Sequence, residues 1–147
     1  MSLKERLQED VKETMRARDS KKLGVLRLIT AAIKQVEVDE RIVVDDARML
    51  VILDKLVKQR KESLSQFQAA GRTDLVDQEQ FELDILAGYL PEPLSETEIN
   101  ALLQKALIDT GALKMSDMGK VMSYLKPLLQ GRADISKVST LIKAKLT

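Results

Sequence analysis

Apolar residues recur along this chain at helical intervals almost throughout. Leu3, Leu7, Val11 and Met15 step by four and form one stripe, which predicts an opening helix. Asp19 and Ser20 offer a cap for a second helix carrying Leu23, Leu26, Ile29, Ile33 and Val36. Val38 to Val44 holds a charged break and a short β-branched run, too short for a sheet without partners, so a loop is predicted there. Asp45 and Asp46 suit the positive end of a third helix with Leu50, Leu53, Leu56, Val57, Leu64 and Phe67, ending before Gly71. Thr73 is placed to cap a fourth, built on Leu75, Phe81, Leu83, Ile85 and Leu86. Pro91 and Pro93 then break the pattern, since no helix interior accepts both. Ser95 and Glu98 follow as a capping box for a fifth helix running to Gly111. Ser116 is a candidate cap for a sixth helix with Met118, Val121, Met122 and Leu125, where Pro127 threatens the last turn and Gly131 ends it. Asp134 caps a seventh with Val138, Leu141, Ile142 and Leu146. The expectation is all-α: an N-terminal four-helix domain over 1–90 and a C-terminal three-helix domain over 95–147.

Composition narrows the chemistry. Of the 147 residues, 44% are apolar and 32% charged, enough for a packed core and a solvated surface. Cysteine and histidine are both missing, which excludes thiol nucleophiles, Ser-His-Asp triads and Cys/His zinc sites. The opening MSLKERLQEDVKE has no apolar run, so it reads as neither signal peptide nor membrane span, and a cytoplasmic protein without membrane contact is expected. The net charge of +1 hides an uneven distribution, because residues 114–147 hold seven basic and two acidic side chains. Such an excess is the footprint of a polyanion partner, RNA first, although a solvated lysine-rich face gives the same count. Only four aromatics are present (Phe67, Phe81, Tyr89, Tyr124), so any RNA contact would run through backbone and shape rather than base stacking.

No complete active site emerges. Glu37, Asp39, Glu40, Asp45 and Asp46 cluster, but adjacent acids give no metal geometry and suit helix ends instead. Gly119-Lys120 lacks the upstream glycine and strand of a phosphate loop. No catalytic residue, metal site or cofactor is assigned. On the third helix Lys58, Arg60 and Lys61, with Arg72 beyond it, form a secondary basic group interleaved with acids; Asp54, Lys58 and Glu62 read as surface pairing.

Several runs carry a family resemblance. Lys22 to Lys34 (KLGVLRLITAAIK), Lys58 to Ser63 (KQRKES), Ala70 to Leu75 (AGRTDL) and Tyr89-Leu90-Pro91 followed by Leu94-Ser95 resemble the signature of the YqeY family. Asp117 to Met122 (DMGKVM) and Leu129 to Asp134 (LQGRAD) complete it, in order and over nearly the whole chain. Ile135 departs from the pattern, standing where the family often has glycine. The family is similar to the tail of the B subunit of the tRNA-dependent glutamine amidotransferase. The resemblance therefore implies a non-catalytic module that binds tRNA or associates with an amidotransferase or aminoacyl-tRNA synthetase component. It also carries a label of carbon–nitrogen ligase activity with glutamine as amido-N-donor, without the cradle that performs that chemistry. The implied RNA-binding residues are Lys114, Gly119, Lys120, Lys126, Gly131, Arg132, Lys137 and Lys143, with two helix starts suited to phosphate. The competing expectation is a protein-interaction adaptor with no RNA role.

Overall fold

The computed structural model describes Met1–Thr147. The protein is all-α, with seven helices: α1 (Leu3–Arg16), α2 (Ser20–Glu40), α3 (Asp46–Ala69), α4 (Thr73–Ala87), α5 (Glu96–Thr110), α6 (Met118–Leu129) and α7 (Ile135–Lys145), plus a 3-10 turn at Met115–Asp117. By internal contacts the chain divides into two compact units, Met1–Leu90 and Pro91–Thr147.

The first unit holds α1 to α4. Its core gathers Leu7 from α1, Leu26, Ile29 and Ile33 from α2, Met49, Ile52 and Leu53 from α3 and Leu86 from α4. Val44 and Tyr89 join them from the segments flanking the helices. Burying such side chains stabilises a fold by roughly 1.5–3 kcal/mol each. The second unit holds α5 to α7, with α6 contacting both neighbours. Leu103 and Ala106 of α5 meet Val121, Leu125 and Leu129 of α6 and Val138 and Ile142 of α7, and Ala112 and Leu146 close the cluster.

Several local expectations need correction. Met15 is 52% exposed, and Thr14 takes the buried place, donating its hydroxyl proton to the Asp10 carbonyl at 2.6 Å. The second helix does not break at Val38 but runs to Glu40 and stops on Arg41, whose φ of 54° is left-handed. The reason is distant in sequence: the Glu37 carboxylate accepts hydrogen bonds from the Lys4 ammonium at 2.6 Å and from the Val44 N–H at 3.0 Å, pinning the turn below it. Thr73 is the first helical residue of α4 rather than its cap, and no side chain caps that end. Ser116 lies inside the 3-10 turn and caps nothing. Leu141, assigned to the core stripe of α7, is 43% exposed. Asp19, Asp45, Ser95 and Asp134 do act as N-caps.

Candidate interaction surfaces

The lysines of the second unit are exposed, all but Lys114 on helices, yet several of the features meant to grip phosphate are already satisfied. Gly119 and Lys120 are the second and third residues of α6, both exposed. Asp117 precedes α6, but its carboxylate turns back to accept the Leu113 N–H at 3.0 Å and the Lys114 N–H at 3.1 Å. Those two bonds, and secondarily Lys120 and Lys114, hold the Asp117 carboxyl below its ordinary range. At α7, Asp134 accepts from the Ser136 N–H at 2.9 Å. The start of α7 therefore carries a carboxylate of the chain itself, whereas the start of α6 has no side-chain cap.

Arg132 is a strap within the unit. Its Nε donates to the Glu92 carbonyl at 3.1 Å, and its own carbonyl accepts the Leu94 N–H at 2.9 Å. Gly131 beside it has a φ of 75°, which only glycine adopts at little cost. Lys126, Lys137 and Lys143 are exposed. Lys143 and Lys145 sit in the last turn of α7, where a helix end favours cations. The sequence excess is also offset within the unit by Glu92, Glu96, Glu98 and Asp109.

The secondary basic group does not form one outward stripe. Lys58 pairs with Asp54 at 3.4 Å, and Arg72 pairs with Asp74 at 3.2 Å. Arg60 turns toward α4, its Nε lying 2.9 Å from Glu82 and 3.9 Å from Glu79. Burial, reinforced by the Glu82 charge, pushes the Glu79 carboxyl up. Lys61 alone of this group is exposed with no ion-pair partner. The acidic residues are likewise dispersed among separate contacts: Glu37 holds Lys4, Asp39 accepts from the Gln35 amide, Glu40 pairs with Arg48, and Asp46 accepts the Leu3 N–H at 2.9 Å. They make no group able to hold a metal ion.

Sequence reasoning missed two exposed apolar sets. Ile108, in the last turn of α5, and Leu113 and Met115, in the segment joining α5 to α6, are 78%, 74% and 45% exposed. That segment is held in place, because Thr147 donates its N–H to the Leu113 carbonyl at 3.2 Å and accepts the Met115 N–H at 3.1 Å. Val38, Ile42 and Val43 are 64%, 40% and 82% exposed at the α2–α3 junction. The available signal was phase: Ile108 falls off the buried stripe of Leu103 and Ala106 on α5.

Comparison with known proteins adds a family and a set of relatives. The family described as Yqey-like protein matches residues 4–146. A protein of Pyrenophora tritici-repentis named "Altered inheritance of mitochondria protein 41, mitochondrial" is 35% identical over 126 residues, 82% of this chain and 70% of that one. Proteins of the same name from Eremothecium gossypii and Lachancea thermotolerans are 39% and 29% identical, covering 80% and 92% of this chain and 68% and 76% of their own lengths. These names overturn two expectations. The relatives are named as mitochondrial, against the cytoplasmic reading, and for mitochondrial inheritance, against tRNA binding or amidotransferase association. With its match spanning nearly every residue, the chain belongs to the YqeY family.

Proposed function

We propose that the chain is a protein-docking module whose surface around Leu113 receives an acidic amphipathic segment of a partner, and that it serves the process for which its relatives are named, the inheritance of mitochondria. The observation that carries the docking reading is one short segment in which exposed Leu113 and Met115 alternate with the cation of Lys114, with Lys120 a few residues on. Covering each apolar side chain would contribute roughly 1.5–3 kcal/mol. The lysines would select acidic partners and speed their encounter. The bonds from Thr147 and Asp117 fix the backbone of this segment beforehand, so docking orders little of this chain. The process rests on the relatives' names alone. We read the two units as a four-helix domain followed by a three-helix domain, the second sharing its helical form with the amidotransferase tail and carrying no tRNA role across.

Saccharomyces cerevisiae offers a test, since its relative is 36% identical over 104 residues. A strain lacking that relative would be given this chain, directed to mitochondria, and scored for mitochondrial inheritance. Rescue by the wild type and its loss with Leu113→Asp, shown folded by far-UV circular dichroism, is the expected result. Rescue indifferent to Leu113→Asp would remove the docking site, and absence of rescue would remove the process.

A further inference from the structure

We infer that a second copy of this chain is a partner for the Leu113 surface, docking through the acidic, apolar rim at its own α2–α3 junction; this rests on the docking reading above.

The rim is built by one buried anchor and three side chains left outside. Val44 is 3% exposed and ties the loop into the core of the first unit. Val38, Ile42 and Val43 then project to solvent, Val43 most of all at 82%. The loop is braced from α2, since the Ile42 N–H donates to the Glu37 carbonyl at 3.3 Å and the Val44 N–H to the Glu37 carboxylate at 3.0 Å. An apolar set held out of the core by a braced backbone is the form of a contact surface.

Charge decides what it fits. Asp39, Glu40, Asp45 and Asp46 flank these side chains, against Arg41 and Arg48. Of those carboxylates only Glu40 has an ion-pair partner, Arg48. The rim is thus negative on balance. The Leu113 segment is its complement: apolar side chains of similar exposure flanked in sequence by Lys105, Lys114 and Lys120 against Asp109 and Asp117, positive on balance. Both halves of a complementary pair are borne by one sequence, in equal number. Because they are different surfaces, each contact joins unlike patches, and copies either add head to tail or close on one another.

Sedimentation velocity of the full chain over a concentration series, at low and high salt, reads this directly. Wild-type mass should rise with concentration above that of a monomer and fall with salt, as screened complementary charges require. Val43→Asp spoils the rim and Leu113→Asp the lysine-flanked segment; both positions are exposed, so the fold should persist by circular dichroism. Each variant alone should weaken association about tenfold or more. An equimolar mixture should form one-to-one dimers that grow no further, because each variant supplies the surface the other lacks. A wild type monomeric throughout, association retained by either variant, or a mixture that fails to pair would overturn the inference. A monomeric wild type whose rescue of yeast still depends on Leu113 would sink self-association while leaving the docking function standing.

Discussion

Tyr89 ties the segment after α4 to α1. Its residue is 5% exposed, its hydroxyl donates to the Asp10 carboxylate, and the Arg6 guanidinium lies 4.8 Å from the ring centroid while donating to the Gly88 carbonyl at 2.7 Å. Burial first, then the hydrogen bond to Asp10, push the phenol well above its ordinary value. The folded protein therefore holds this proton more tightly than the unfolded chain. That contribution is complete below about pH 10 and is lost as pH rises beyond it, when the unfolded tyrosine ionises. Tyr89→Phe keeps the ring and strands the half-buried carboxylate, so it should cost about 1–2 kcal/mol near neutrality. Urea unfolding of both proteins across alkaline pH checks the sign. The gap between them should narrow above about pH 10, and a gap that widens there would show that the hydroxyl is not the source of the stability.

At the scale of the helix, what was legible in the sequence was local chemistry. Ser95 accepts the Glu98 N–H at 3.2 Å, although the Glu98 carboxylate returns to the Ser95 hydroxyl at 3.1 Å rather than to a backbone N–H. Asp134 and Asp45 are read as easily, since a cap is decided within a few residues. The end of α2 was misread because Lys4, thirty-three residues away, holds the Glu37 that steadies it. The same blindness governs the candidate site. Lysines and arginines are visible in sequence, but the partners that take up Arg60 and Arg132 come from α4 and from the proline segment. Apolar residues are visible too, whereas periodicity alone did not reveal that Leu113 and Val43 lack a covering element. A pair of substitutions separates a real cap from an apparent one. Ser95→Ala should destabilise the second unit by about 1 kcal/mol, while Ser116→Ala, at a residue that caps nothing, should stay within about 0.5 kcal/mol of wild type. Chemical unfolding measures both, and equal costs would mean that the caps are wrongly assigned.

For the molecule as a whole, the question is whether two cores make one cooperative fold or two. The cluster around Leu26 and Leu53 draws only on residues up to Leu90, and the cluster around Leu103 and Leu125 only on residues from Leu94 onward. No buried side chain belongs to both. Stability contributed by apolar burial is therefore partitioned between the units, and the smaller one is closer to the size at which a single core barely suffices. Leu53 and Leu125 are each 0% exposed, so Leu53→Ala and Leu125→Ala should each cost about 2–5 kcal/mol, the transfer term plus the cavity left behind. The effect should stay where the cavity is. In Leu125→Ala, amide hydrogen exchange should quicken across α5, α6 and α7 while α1 to α4 keep their native protection, and Leu53→Ala should give the reverse. Because the second unit has less burial in reserve, Leu125→Ala should bring it nearer to unfolding at ordinary temperature than Leu53→Ala brings the first. Protection lost together in all seven helices, from either substitution, would make the chain one cooperative unit and the partition of its cores a matter of geometry alone.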